Sequence, residues 1–179
     1  MSNVILISGP SGSGKTALSE YLGATCHFAV VSEDKFWGEY KANCPVDEGR
    51  TLEEEVIIQN QVATKVEQLL QEGKNVVLEF ILYCDPPRPL LAYQEALQGK
   101  ALNLTTVLLK PSVEVILDRK RLRGRISEQN SANETTIGES QLSCLDSPYI
   151  KKEWIVNNDS LTISETYEML ARDNRHIFE

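Results

Sequence analysis

Short apolar runs rich in β-branched residues alternate along this chain with stretches whose apolar residues recur every three or four positions. Val4-Ile5-Leu6-Ile7 is continuous and apolar, the pattern of a strand buried on both faces. A helix should run from Lys15 to about Leu22, with Gly23 as its stop. Cys26 to Ser32 reads as a second strand, followed by a polar loop over 33–50. Thr51 and Glu54 have capping-box spacing, and Leu52, Val56, Ala63, Val66 and Leu70 then recur at helical intervals until Gly73. Asn75 to Leu82 predicts a third strand. The break Asp85-Pro86-Pro87-Arg88-Pro89 suits the first turn of a helix reaching about Gln98. Leu104 to Leu109 predicts a fourth strand, and Pro111 opens a helix to about Arg123. Residues 124–140, rich in Ser, Asn and Thr, predict a mobile loop. Trp154-Ile155-Val156 is a short fifth strand. Thr162 and Glu165 again have capping-box spacing, with a last helix to about Arg172.

Strand and helix thus alternate five times. The pattern implies an α/β protein with a five-stranded parallel sheet, helices on both faces and right-handed crossovers. No internal repeat or linker divides the 179 residues, so 1–179 is expected to be one domain.

Composition narrows the classes. Hydrophobic residues make up 41% and charged residues 25%, the balance of an ordinary globular protein. No apolar run approaches a membrane span, and the first residues lack the features of a signal peptide; a cytoplasmic protein is expected. Cys26, Cys44, Cys84 and Cys144 form no Cys-x-x-Cys pair and only His27 and His176 accompany them, which speaks against structural zinc and for reduced thiols. A net charge of -8 weighs against a grip on long nucleic acid. One local exception is Arg119-Lys120-Arg121-Leu122-Arg123-Gly124-Arg125, a basic cluster suited to an anion.

The chemistry concentrates in Gly9-Pro10-Ser11-Gly12-Ser13-Gly14-Lys15-Thr16, which fits Gly-x-x-x-x-Gly-Lys-[Ser/Thr] in full. Glycines let backbone N–H groups turn inward to phosphate. The helix that starts here adds its positive end. Lys15 brings a charge to the β- and γ-phosphates, and the Thr16 hydroxyl is a ligand for Mg²⁺. The motif follows a predicted strand and opens a predicted helix, as phosphate binding requires. Mg-ATP is the expected nucleotide.

On these residues the chain resembles the P-loop small-molecule kinases of the nucleoside-monophosphate-kinase-like group, and is similar to chloramphenicol phosphotransferase and the zeta-toxin-type kinases. The resemblance runs loosely over residues 3–170 and implies a P-loop NTPase fold with a short lid. It implies a general base after the second strand, where Asp34 matches best and Glu33 is its neighbour. It implies a lid at 124–140, whose base carries Arg119, Arg123 and Arg125 to stabilise the transferring group; a solvated basic face is the plainer alternative. Glu79, a lone acid in an apolar strand, is either a Mg²⁺-facing residue or a strand-end acid satisfied by Lys15 or a backbone donor. Asn158, in the loop after the fifth strand, is where similar kinases meet adenine through backbone. Phe36, Trp37, Tyr40 and Arg88 are candidates for the acceptor pocket, and Cys44 and Cys84 are given no role.

The expected activity is transfer of the ATP γ-phosphate to a small-molecule hydroxyl or phosphate. The alternatives are an ATP-binding switch without an acceptor, and a kinase acting on polynucleotide or protein.

Overall fold

In the computed structural model, residues 2–43, 51–101, 103–125 and 130–178 are described. Strands β1 (Val4–Ser8), β2 (Ala29–Ser32), β3 (Val76–Glu79), β4 (Leu104–Leu109) and β5 (Ile155–Val156) form one sheet in the order β2-β3-β1-β4-β5. Every neighbouring pair is parallel. Side chains alternate between the two faces, so each continuous apolar run is buried twice. Val4, Leu6, Val76 and Leu78 enter one core with Ile58, Val62, Val66, Leu90 and Tyr93. Ile5, Ile7 and Val77 enter the other with Leu18, Leu22, Val107 and Leu170.

The first core is roofed by helices α3 (Leu52–Gln71) and α4 (Arg88–Leu97), the second by α1 (Lys15–Cys26) and α7 (Ile163–Asp173). The capping boxes at Thr51 and Thr162 both form. Helix α5 (Val113–Arg123) starts from Ser112, whose side chain accepts from the Val115 N–H. A short helix, α8 (Arg175–Phe178), follows α7. No helix among the described residues is long and apolar enough to cross a membrane.

Several elements differ from the sequence reading. Helix α1 does not stop at Gly23 but runs on to Cys26, and His27 closes it in the left-handed region (φ 58°). Gly23 serves packing instead: a Cβ there would lie 2.8 Å from Val30 Cγ2. Strand β2 starts only at Ala29 and β3 stops at Glu79. In α3 the apolar phase is rotated, leaving Leu52 61% and Val56 55% exposed. The buried stripe is Ile58, Val62, Ala63, Val66 and Leu69, and each fully buried aliphatic in it contributes roughly 1.5–3 kcal/mol.

The polar stretch from residue 33 forms helix α2 (Glu33–Asn43). Glu33 and Asp34 occupy its first turn, where the helix dipole favours carboxylates, and Trp37 is buried against the core. Helix α6 (Ser131–Ser143) begins inside the expected mobile loop at 124–140 and runs past its end; residues 126–129 fall outside the described residues. Asn130 caps α6 by accepting from the Asn133 N–H at 3.2 Å. Thr135 and Thr136 satisfy their hydroxyls on carbonyls one turn back. A polar composition therefore concealed two helices, each held by a few buried contacts.

Candidate active site

The strand register brings the site residues to one edge of the sheet. Glu79, the last residue of β3, lies level with Ile7 of β1 and Ser32 of β2. The three chain segments that leave the sheet here carry the P-loop, Glu33-Asp34 and the loop after β3. Ser8 Oγ donates to the Phe80 carbonyl (3.0 Å) and the Leu82 N–H donates to the Gly9 carbonyl (3.2 Å), tying two of these segments together. Strand order reverses about β1, and ligands of open parallel sheets bind beyond such carboxyl ends.

The P-loop takes the shape its glycines allow. Gly9, Gly12 and Gly14 have φ of 146°, 86° and 100°. A Cβ on Gly9 would stand 2.5 Å from the Leu109 carbonyl oxygen, so a side chain there would force β1 and β4 apart. Lys15 is buried, and its ammonium donates to the carbonyls of Gly9 (3.1 Å) and Pro10 (2.8 Å). Burial lowers its pKa to about 8, against the opposing pull of Glu79 and Asp34. Thr16 Oγ1 donates to Glu79 Oε2 at 2.9 Å. Buried Glu79 thus has a partner at the mouth of the P-loop, and a hydroxyl and a carboxylate side by side are hard-oxygen donors of the kind Mg²⁺ takes.

The basic cluster divides by position. Arg119 reaches under the loop, with Nη1 donating to the Ser13 carbonyl (3.0 Å) and Nη2 to the Asn158 carbonyl (2.8 Å). Its burial lowers its pKa, an effect that Asp159 opposes. Asn158 is buried, and its Nδ2 donates to the same Ser13 carbonyl at 2.9 Å. The Asn158 side chain therefore braces the P-loop from below. Arg123 and Arg125 are exposed at the end of α5. Lys120 is buried and pairs with Glu134 of α6 at 2.5 Å.

A cleft of about 540 Å³ opens over the loop, lined among others by Lys15, Thr16, Asp34, Arg119, Arg123 and Arg125. Its size falls in the range of small-molecule sites. Leu161, Thr162 and Ile163, at the start of α7, also line it. Glu79 meets the cleft through Thr16. Phe36 and Tyr40 pack against the core with Trp37. Arg88 is held by Glu55 in a bidentate pair, its Nε and Nη2 donating at 3.2–3.3 Å. Cys44 lies outside the described residues; Cys84 is half-buried in the loop after β3.

Some contacts had no sequence signal. Gln141 Oε1 accepts from the Ser11 N–H at 2.8 Å, linking α6 to the P-loop. Tyr93, fully buried on α4, donates to Glu33 Oε1 at 2.7 Å. Both pairs join residues far apart in the chain, and neither side chain belongs to a motif. The capping box at Thr162 was legible, but not that it delivers Thr162 and its neighbours to the cleft.

A family model described as an AAA domain matches residues 5–137, more than half of the chain. No curated protein is similar enough in sequence to match. Solved structures with the same fold include a sugar kinase from Janibacter sp. HTCC2649, at 18% identity and TM-score 0.68, covering 96% of this chain and 94% of that one. The tunicamycin resistance protein of Deinococcus radiodurans matches at 15% identity and TM-score 0.70, over 96% and 95%. A gluconokinase from Sinorhizobium meliloti 1021 matches at 18% identity and TM-score 0.63, over 99% and 95%. At these identities the likeness is one of fold.

Proposed function

From the premise that the chain belongs to the AAA domain family, we propose that it is an ATP-dependent phosphotransferase acting on the hydroxyl of a small molecule. The observation that carries this reading is the meeting of Lys15, Thr16, Asp34, Arg119, Arg123 and Arg125 around one cleft. A phosphate-binding loop alone would serve a switch equally well. A carboxylate lining the same cleft as Lys15 is what an acceptor hydroxyl needs.

In this reading the backbone N–H groups from Gly9 to Thr16 hold the triphosphate, and Lys15 neutralises its terminal phosphates. Thr16 and Glu79 would hold Mg²⁺, which supplies charge neutralisation to the phosphates when bound. Asp34 orients the acceptor hydroxyl and takes its proton as the acceptor oxygen bonds to the γ-phosphorus. The bond from that phosphorus to the bridging oxygen breaks, and ADP leaves with the electron pair. Arg123 and Arg125 face the charge that spreads over the transferring oxygens, while Arg119 stiffens the loop beneath. Asn158 braces the loop that receives the nucleotide, and its neighbours Leu161 to Ile163 flank the space for the base. The segment around 124–140 acts as the lid, with α6 as its rigid part.

ADP release from Mg-ATP, measured across hydroxyl-bearing compounds with Asp34→Asn in parallel, tests this. Wild type should be stimulated by one acceptor class. The variant should bind ATP normally and lose about 10²- to 10⁴-fold in turnover, the usual worth of a general base. Undiminished turnover in the variant would remove Asp34 from the mechanism.

A further inference from the structure

The P-loop is held in shape by groups outside it, and one of these holds comes from α6. The Ser13 N–H donates to the Pro10 carbonyl at 3.1 Å, closing a turn over Pro10 to Ser13. Gly12, third in that turn, has φ 86°, as a type II turn requires. Such a turn bonds its first carbonyl to its fourth N–H and leaves the N–H of its second residue, here Ser11, to an outside partner. Gln141 Oε1 takes that place at 2.8 Å. Because the Ser11 group is a donor, the amide oxygen and not the amide nitrogen faces it. Below the turn, the Ser13 carbonyl accepts from Arg119 and Asn158. On the α5 side, a Cβ on Gly12 would lie 3.2 Å from the Ile116 carbonyl oxygen and 3.2 Å from Lys120 Cγ.

Helix α6 is suited to this contact along one face. Its buried residues are Glu134, Gly138 and Gln141, spaced to lie one above another. None is a large apolar side chain, so the face adds little hydrophobic burial. Glu134 pairs with Lys120, a Cβ on Gly138 would stand 3.9 Å from Ile116 Cγ2, and Gln141 reaches Ser11. Each of the three therefore meets α5 or the P-loop. The residue type at 141 also matters. Ser11 lines the cleft, and an amide holds it without bringing a negative charge toward a bound triphosphate, as a carboxylate would.

We infer that Gln141 is a positioning residue of the phosphate site: it holds the Pro10–Ser13 turn in its anion-binding shape and makes triphosphate affinity depend on α6 being docked. The inference rests on the phosphate-binding part of the phosphotransferase reading and adds a residue to it. Gly9, Gly12 and Gly14 give the loop wide conformational freedom. A turn released from Gln141 spends part of its time in other shapes, and affinity falls by the fraction that stays competent. The N–H groups at the start of α1, which meet the phosphates in that reading, follow the turn directly and are placed by it.

The test measures binding of Mg-ATP and of adenosine by calorimetry, with amide exchange at Ser11, in wild type, Gln141→Leu and Gln141→Glu. Leucine fills much of the same space and offers no acceptor. Gln141→Leu should lose about tenfold in Mg-ATP affinity, bind adenosine as wild type does and exchange the Ser11 amide faster. Gln141→Glu keeps an oxygen at the same reach, so its Mg-ATP affinity should approach that of wild type as salt screens the added charge. A purely structural role would change stability and leave the ratio of Mg-ATP to adenosine affinity untouched. Should circular dichroism show Gln141→Leu unfolded, Gln141→Asn, the same amide one methylene short, carries the same prediction. Wild-type Mg-ATP affinity in the folded variant, or an equal loss for adenosine, overturns the inference and leaves the phosphotransferase reading standing. Wild type that binds no Mg-ATP overturns that reading, and this inference with it.

Discussion

Lys15 carries its charge at a cost, and that cost has a pH signature. Burial holds its pKa at about 8, below the ordinary value of 10.5. The protonated ammonium is the form that binds phosphate, and bound phosphate stabilises it further. Above pH 8 the free site has lost its proton while the complex retains it. ATP affinity should therefore fall as pH rises from about 8 toward 10. Titrations of Mg-ATP at pH 7, 8, 9 and 9.5 would measure this, and a flat profile would contradict the assigned role of Lys15. The P-loop itself was legible in sequence because its function is local. Eight contiguous residues supply the backbone donors, the charge and the hydroxyl. That Asp34 lines the cleft was legible from its place after a strand. Glu33 was not separable from it, since its burial depends on Tyr93, a residue 60 positions away.

Helix α6 shows how polar sequence hides structure. Its composition resembles a loop, yet it is fastened at two points, by Gln141 to the Ser11 N–H and by Glu134 to Lys120. Both partners lie on other elements, so no window of sequence contains the interaction. Lys120 was read as one more residue of a basic cluster, and the structure makes it the buried half of an ion pair. Glu134→Gln should leave an uncompensated buried charge and cost about 3–5 kcal/mol in urea denaturation. Replacing both, as Lys120→Met with Glu134→Leu, should recover most of that loss, because the charges are then removed together. A single variant as stable as wild type would show that the pair does not fasten α6 to α5. Strand placement was legible for a related reason: β1 is buried along its length and reads as an unbroken apolar run, and β4 ends in the buried apolar run Val107 to Leu109. Helix α3 was legible in extent but not in phase, because Leu52 and Val56 carry apolar side chains on an exposed face.

The whole molecule bears a net charge of -8, yet the cleft over the P-loop gathers Lys15, Arg119, Arg123 and Arg125. In the proposed reading this focuses positive potential where a triphosphate would dock, while the net negative charge of the molecule repels polyanions. The pairing of Arg88 with Glu55 was beyond sequence reading, since the two stand 33 positions apart and on different elements. The central claim is that the γ-phosphoryl group crosses this cleft to an alcohol. Incubating the protein with γ-labelled ATP, Mg²⁺ and the stimulating acceptor, then locating the label, tests that claim most directly. Label recovered as a phosphate ester of the acceptor, absent with Lys15→Ala, is the predicted result; label recovered only as inorganic phosphate, at a rate indifferent to the acceptor, would contradict it.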